Sequence, residues 1–151
     1  MNISEIMTVK PVTIHPANSI SDALQRMRSV HCHHLPVLSS QSHLIGILSE
    51  YDCQQHLGQI QAEAVDRILD EQELAQKITV QEVMSAAPIV VEPDMTAHQA
   101  ARLMLTNNIR SLPVMRAETL VGIVTTSDLL IAFMQMSDKY QDTMLRDSLV
   151  K

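Results

Sequence analysis

Two short segments of the sequence combine a hydroxyl residue with a carboxylate three positions later. They are residues 49–52 (Ser-Glu-Tyr-Asp) and residues 125–128 (Thr-Thr-Ser-Asp), and each follows an apolar run. At the start of a helix, such a hydroxyl can accept a hydrogen bond from a free backbone N–H while the carboxylate reaches back. The same pair can hold a nucleotide, because a carboxylate accepts hydrogen bonds from ribose hydroxyls and a helix start favours phosphate. The residues alone leave helix capping and ligand binding both open.

Histidine and cysteine offer a second kind of chemistry. Residues 31–34 read His-Cys-His-His, but neighbouring residues seldom converge on one ion without distant ligands, and the other histidines are scattered. We therefore expect no metal site. Cys53, with His56 three residues later, could be a thiol nucleophile, yet a small buried residue inside a helix is the simpler interpretation. The sequence contains no Gly-rich phosphate loop and no catalytic triad motif, so we expect no catalytic residues and no enzyme.

The elements that must position these residues occur twice, because the sequence contains an internal repeat. The offset is 77 in the first three matches and 76 in the last, so the first copy has one extra residue in its polar turn. The matching pairs are residues 4–7 and 81–84, 11–16 and 88–93, 35–37 and 112–114, and 46–52 and 122–128. We predict four segments: repeat 1 at residues 3–57, an acidic helical linker at 58–79, repeat 2 at 80–133 and a C-terminal tail at 134–151.

Each repeat shows the order β-α-β-β-α. The β-branched runs 12–14 and 89–91 predict first strands, and the spacings Ser19 to Asp22 and Thr96 to Gln99 predict capped helices. Two prolines are expected to end those helices and to lead into short strands, and a second strand then completes a hairpin. The prolines are Pro36 and Pro113, and the strands that follow them are predicted at 37–38 and 114–115. The second strands of the hairpins are predicted at 44–48 and 120–124, and the final helices are expected to start near Ser49 and Thr125.

The connector between the repeats differs from them in composition. Between Gly58 and Lys77 it carries two basic and five acidic residues, and its apolar residues Ile60, Ala64, Ile68 and Ala75 fall on one helical face. This pattern predicts a single solvent-facing linker helix. The tail is polar with few apolar residues and could form an extra helix or a dimer contact.

These segments resemble the cystathionine β-synthase (CBS) domain. The resemblance rests on a helix followed by Leu-Pro-Val, a hairpin, and the runs Gly-Ile-Leu-Ser-Glu-Tyr-Asp at 46–52 and Gly-Ile-Val-Thr-Thr-Ser-Asp at 122–128, with leading segments 6–12 and 83–89. It covers everything except the linker and the tail. It implies a stand-alone tandem CBS pair, or Bateman module. The expected fold is mixed α/β (α+β), with two pseudo-symmetric repeats packed sheet to sheet and a flat homodimer.

The resemblance also implies two clefts that bind adenine nucleotides or related adenosyl compounds, with an aspartate at the ribose of each. The residues implied for the Asp128 cleft are Met7, Val12, Cys32, His33, His34, Thr125 and Asp128. Those implied for the Asp52 cleft are Ser49, Asp52, Met84, Ile89, Ile109 and Arg110. The apolar members would surround the base, and the histidines and Arg110 would approach the phosphates. Plain core packing is the alternative for Met7, Val12, Met84 and Ile109.

Charge distinguishes the two clefts. Glu50 adds a negative charge beside any phosphate in the Asp52 cleft, whereas histidines are mostly neutral near pH 7 unless an anion raises their pKa. We therefore expect phosphate-rich ligands to bind the histidine-lined Asp128 cleft more tightly at mildly acidic pH. Aromatic residues are only 2% of the chain, so any pocket must grip its ligand between aliphatic side chains.

Composition excludes several functional classes. The formal charge of −6 (11 basic minus 17 acidic residues) argues against a general nucleic-acid binder. The longest strictly apolar run, 129–134, is far shorter than the roughly 20 residues of a membrane helix. The start of the sequence does not resemble a signal peptide, and two cysteines do not suggest a disulfide scaffold, so we expect a cytoplasmic protein without membrane contact.

The sequence thus predicts a regulatory module that senses AMP, ADP, ATP or S-adenosylmethionine and requires no cofactor. The expected partners are an adenine nucleotide, a second copy in a homodimer and an unidentified effector protein. The alternative is a ligand-free dimerisation or protein-docking module. A third class, an enzyme using Cys53 or the histidine cluster, is the least favoured.

Overall fold

The computed structural model describes residues 1–64 and 66–149, with the backbone alone for residues 146–149. A 3-10 turn at Ile3–Glu5 precedes the first strand. The first half contains β1 (Thr8–Val9), α1 (Ile20–Val30), β2 (His34–Leu38), β3 (Leu44–Ser49), α2 (Glu50–Glu63) and α3 (Glu71–Lys77). The second half contains α4 (Val80–Val83), β4 (Ser85–Ala86), α5 (Ala97–Asn107), β5 (Ser111–Arg116), β6 (Thr119–Thr125) and α6 (Thr126–Leu149). The mixed α/β fold with two equivalent halves is confirmed, as are the hairpins and the final helices.

Helices α1 and α5 begin at the two predicted capping boxes. The hydroxyl of Ser19 accepts a hydrogen bond from the Asp22 N–H at 3.1 Å, and the Asp22 carboxylate accepts one from the Ser19 N–H at 3.4 Å. Thr96 and Gln99 make the same reciprocal pair at 3.2 and 3.1 Å. These bonds satisfy N–H groups that the first turn of a helix cannot pair internally, which fixes where each helix starts.

The two prolines do not end these helices, so that prediction was wrong. Both helices stop several residues earlier, at His31 and Asn108, whose backbones are left-handed with φ of 54° and 52°. A left-handed residue turns the chain out of the helix while its N–H still bonds the last carbonyls. Pro36 and Pro113 instead lie inside β2 and β5.

The predicted first strands at 12–14 and 89–91 were also wrong. Each is reduced to a single parallel bridge, Ile14 to Val37 and Val91 to Val114. Prolines flank both runs in the sequence, and a proline has no N–H with which to continue a ladder. The longer pairing is made by the residues before these runs.

The two halves exchange a strand, so that each sheet contains one strand from the other half. The two sheets have the orders β1-β6-β5 and β2-β3-β4, and all their pairs are antiparallel. The segment that leads into repeat 1 therefore completes the sheet of repeat 2, and the reverse holds for β4. A Cβ atom added at Gly122 would lie 2.5 Å from Sδ of Met7, and one at Gly46 would lie 2.5 Å from Sδ of Met84. Glycine is needed at both positions because the exchanged segment passes so close.

The hydrophobic cores follow the same exchange. Ile3, near the N-terminus, packs with Leu112 and Val124 in the core of the second half. Val80 packs with Leu35 and other residues in the core of the first half. Neither core is complete without a segment from outside its own repeat, as expected for units too small to bury enough apolar surface alone.

The connector differs from its prediction, and the tail is helical. The connector is not one helix: α2 continues to Glu63, and α3 is a separate helix that contacts α1 and α2, with Ala75 buried against the first core. Ile68, which was predicted to share one helical face with Ala75, is 95% exposed, whereas Ala75 is 6% exposed. The tail continues α6 as far as Leu149, while residues 150–151 lie outside the described part of the chain. Within that part, no helix is both long enough and apolar enough to cross a membrane.

Candidate functional site

The first turn of α6 carries Thr125 and Asp128 in a closed capping arrangement. Oδ2 of Asp128 accepts hydrogen bonds from the Thr125 N–H at 2.7 Å and from the Thr125 hydroxyl at 2.9 Å. The Asp128 N–H donates to the same hydroxyl oxygen at 3.3 Å. A carboxylate has about four acceptor positions, so Oδ1 keeps its capacity to accept bonds from a ligand. Capping and ligand binding can therefore be performed by the same side chain.

The equivalent first turn of α2 is arranged differently. The Asp52 N–H donates to the Ser49 hydroxyl at 2.9 Å, but the described residues show no hydrogen bond to the Asp52 carboxylate. The side chain is partly exposed, so this costs little in the absence of a ligand. Both oxygens of Asp52 are thus available to an incoming pair of hydroxyl groups.

Glu50 marks the strongest chemical difference between the two helix starts. Its Oε2 lies 2.6 Å from Nδ1 of His33, and its N–H donates to the carbonyl of His33 at 2.9 Å. In the second half the equivalent residues are Thr126 and Arg110, and there the Thr126 N–H and hydroxyl both reach the Arg110 carbonyl. That contact uses only the carbonyl of Arg110, and the described residues show no acidic partner for the Arg110 guanidinium.

The ring of His34 is influenced by charged residues from both halves of the molecule. Burial lowers the pKa of its ring below the ordinary value of 6.5, and the nearby charges of His33 and Arg110 lower it further, while Asp52 opposes them. The structure thus brings His33, His34, Asp52 and Arg110 to one region. By strand pairing, His34 lies opposite Ser49, and Ser111, which follows Arg110, lies opposite Thr125.

The two methionines of the leading segments lie at equivalent positions. Met7 packs on Gly122 of β6, the strand that ends at Thr125, and Met84 packs on Gly46 of β3, the strand that ends at Ser49. Both side chains are half-buried. Each methionine therefore packs against the strand that leads into the helix carrying the aspartate with which the sequence grouped it.

The remaining implied residues are more dispersed. Cys32 packs against the first core and Ile109 against the second. Val12 and Ile89 are partly exposed, at 39% and 38%. The detailed membership of each cleft stays a prediction.

The cysteines are poor nucleophiles. Cys53 is fully buried, and burial together with the charges of Asp52 and Glu50 raises its pKa to about 12. Burial also raises the pKa of Cys32. Their thiols therefore stay protonated at neutral pH, and a protonated thiol is not the reactive form. Among the described residues, no three histidine, cysteine or acidic side chains lie close enough together to bind one ion.

Two cavities lie away from both predicted clefts. One, of about 470 Å³, lies between the 90–95 loop, the first turn of α5 and the end of β5, with Glu92 and Asp94 in its wall. The other, of about 320 Å³, lies between α1, α2 and α3. None of the residues that the sequence assigned to a cleft lines either one.

Sequence reasoning missed the contact between Glu50 and His33. Glu50 was considered only as a charge beside a phosphate, not as the partner of a histidine. The signal was present in the repeat: an offset of 77 aligns His33 with Arg110, and an offset of 76 aligns Glu50 with Thr126. A basic residue thus occurs in both repeats, but an acidic neighbour occurs in only one.

A family model for the CBS domain matches residues 3–58 and residues 80–135. An uncharacterized protein of Methanocaldococcus jannaschii is 34% identical over 153 residues, and the match covers 87% of this chain and 90% of that protein. Two other relatives from that organism are longer: the chain spans 31% of one and 22% of the other, an L-aspartate semialdehyde sulfurtransferase.

Two similar solved structures contain adenosyl ligands. The CBS domain pair of protein MJ0100, in complex with 5′-methylthioadenosine and S-adenosyl-L-methionine, has a TM-score of 0.76 and 26% identity, and the match covers 90% of this chain and 98% of that one. CBSX2 in complex with AMP has a TM-score of 0.67 and 25% identity, with the same coverage.

Proposed function

Because this chain belongs to the CBS domain family and carries two copies of the domain, we propose that it is a regulatory module that binds adenosyl ligands in clefts between the copies. The observation that carries the proposal is the pair of aspartates in the first turns of α2 and α6, each of which keeps carboxylate oxygens free to accept hydrogen bonds. Two similar structures in complex with AMP and with S-adenosylmethionine support the ligand class.

The two clefts are proposed to differ in the ligand they prefer. The Asp128 cleft has a hydroxyl at Thr126 where the Asp52 cleft has the carboxylate of Glu50. A carboxylate beside the ribose repels phosphate and favours a neutral or cationic substituent. We propose that the Asp128 cleft takes a nucleotide, whereas the Asp52 cleft favours an adenosyl group without phosphate unless His33 neutralises Glu50.

The proposed output is regulatory. Both cysteine thiols have raised pKa values, so neither is present as the reactive thiolate at neutral pH. Both cysteines are free, which fits a reducing compartment such as the cytoplasm. A ligand can shift this molecule between arrangements only if it binds one arrangement better than the other. The effect must then pass to a second copy or to a partner protein.

Thermal unfolding with AMP, ADP, ATP and S-adenosylmethionine tests the proposal. A ligand at a hundred times its Kd adds about 2.7 kcal/mol to the free energy of unfolding. For a chain of this size, that raises the Tm by roughly 5–11 °C. Guanosine nucleotides at the same concentration are the matched control for charge. No shift with any adenosyl compound would leave a module that only dimerises or docks on protein.

A further inference from the structure

The larger cavity of the second half has a counterpart in the first half with different side chains. It has a volume of about 470 Å³ and lies between residues 90–95, the first turn of α5 and the end of β5. The backbone beside it makes the same bond in both halves. The Met115 N–H donates to the Val91 carbonyl at 2.8 Å, and the Leu38 N–H donates to the Ile14 carbonyl at 3.0 Å.

In the first half, two basic side chains of the chain itself form hydrogen bonds at this place. Nη1 of Arg26 donates to the Thr13 carbonyl at 2.8 Å. Nε2 of His15 lies 2.9 Å from the Ser40 hydroxyl, and Nδ1 of the same ring accepts a hydrogen bond from the Ala17 N–H at 3.1 Å. The first half therefore provides its own guanidinium and its own imidazole here.

The second half has acidic residues where the first half has basic ones. An offset of 77 aligns Arg26 with Leu103, His15 with Glu92, Ala17 with Asp94 and Thr13 with Val90. Leu103 packs against the second core instead, and the described residues show no hydrogen bond to the Val90 carbonyl. They also show no ion pair to Glu92 or Asp94, although Arg102 and Arg116 lie on the neighbouring elements α5 and β5. The place of a guanidinium is thus left open beside two carboxylates.

We propose that this cavity receives the arginine side chain of a partner protein, whose guanidinium takes the place that the Arg26 guanidinium takes in the first half. A guanidinium is planar and permanently charged, and its five donors can serve the Val90 carbonyl and the carboxylates of Glu92 and Asp94 together. Hydrogen bonds between a guanidinium and a carboxylate are stronger than those between neutral groups. Both acidic residues are exposed, so a side chain can enter from outside.

The rest of the cavity wall suits the aliphatic stem of an arginine. Val91, Met95 and Met115 line the cavity and supply apolar surface on which the methylene groups can lie. Its volume falls within the range of about 300–1,000 Å³ that is usual for ligand pockets. None of the residues that line it belongs to a predicted adenosyl cleft, so the proposal does not depend on the proposed function.

An NMR titration of the full chain with the peptide acetyl-Gly-Arg-Gly-amide, up to about 20 mM, tests the proposal. We expect the backbone amide signals of residues 90–95 and 116–117 to shift, while those of residues 13–18 in the first half stay in place. The same peptide with citrulline is the matched control, because citrulline keeps the shape of arginine and loses its charge. It should cause no shift. Agmatine presents the same guanidinium on a small molecule.

Two variants give the cavity the residues of the first half. Glu92→His and Asp94→Ala should each raise the Kd for the arginine peptide about two- to fivefold, and the double variant about tenfold. Glu73→Gln on α3 is the matched control, because it also removes one exposed negative charge but lies in the first half. It should leave the Kd unchanged. All these positions are exposed, so every variant should keep the wild-type Tm.

Three results would overturn the proposal. They are an arginine peptide that leaves the signals of residues 90–95 unshifted, a citrulline peptide that binds equally well, and a double variant with the wild-type Kd. Shifts with agmatine but not with the arginine peptide would assign the cavity to a small molecule and so overturn the assignment to a partner protein.

Discussion

Replacing Asp128 by alanine separates the two roles that its carboxylate can play. The structure assigns it two hydrogen bonds that cap α6, both to Thr125. Loss of such a cap lowers the free energy of unfolding by about 0.5–2 kcal/mol, which corresponds to roughly 1–8 °C in Tm for a chain of this size. If the free oxygen also binds ribose, the variant loses at least one hydrogen bond to a charged group, worth about 1.5–3 kcal/mol, and its Kd for the nucleotide rises about ten- to a hundredfold.

Asp22→Ala supplies the matched control. Asp22 caps α1 through the same reciprocal pair with Ser19, but it belongs to neither predicted cleft. We expect the two variants to lose similar stability, while only Asp128→Ala loses nucleotide affinity, measured by isothermal titration. Asp52→Ala should cost less stability than either, because the described residues show no hydrogen bond to its carboxylate. Equal nucleotide affinities for Asp128→Ala and Asp22→Ala would refute the ligand role and leave capping alone.

Three further predictions follow from particular contacts. Gly122→Ala should cost about 1–3 kcal/mol, because the new Cβ would meet Sδ of Met7, whereas Gly58→Ala in open space on α2 should gain about 0.5–1 kcal/mol in denaturant melts. Cys53 should resist alkylation at pH 8 in the folded protein and react fully in urea, because its pKa is raised to about 12; rapid native labelling at Cys53 would contradict its burial. ATP should bind more tightly at pH 6 than at pH 8 in wild type but not in His34→Gln, because a phosphate favours the charged ring. Equal ATP affinities of the wild type at both pH values would exclude the histidine effect. The ligand-free protein should instead lose stability as the pH falls from 6.5 through the lowered pKa of His34, because the unfolded state binds that proton more readily.

Local features of the fold could be predicted from the sequence because they depend on residues close together in the chain. The spacing from Ser19 to Asp22 fixes the start of α1, and the repeat itself identified the family, which the comparisons confirm. The ends of the first helices were misplaced because Pro36 is a strong breaker signal. Helix α1 ends at His31, whose backbone is in the left-handed conformation. A histidine can adopt this conformation, but no local sequence pattern predicts it.

The exchange of strands could not be predicted, for a physical reason. Met7 and Met84 lie at equivalent positions of two similar leading segments, and both target strands offer a glycine, at Gly122 and Gly46. Local affinity is therefore almost the same for either pairing, and the choice depends on how the intervening chain can run. Ser49, Thr125 and Asp128 lie at helix starts as predicted because they also form capping bonds, whereas the described residues show no capping bond from the Asp52 carboxylate. The pairing of His33 with Glu50 depends on the spacing of β2 and α2 in space and was missed.

The exchange also limits how a ligand can act on this molecule. The two halves cannot separate without breaking the pairs between β1 and β6 and between β3 and β4, so we do not expect a ligand to drive them apart. A shift of the helix starts would keep those pairs. Helix α6 is the element best placed to transmit it. Asp128 lies in its first turn, and the helix runs without a break from there to Leu149. If α6 contacts the second copy in the expected homodimer, a ligand that shifts that turn changes the dimer affinity by some factor, and dimerisation must then change the ligand affinity by the same factor. A ligand that leaves the dimer Kd unchanged would have to act through α2 instead.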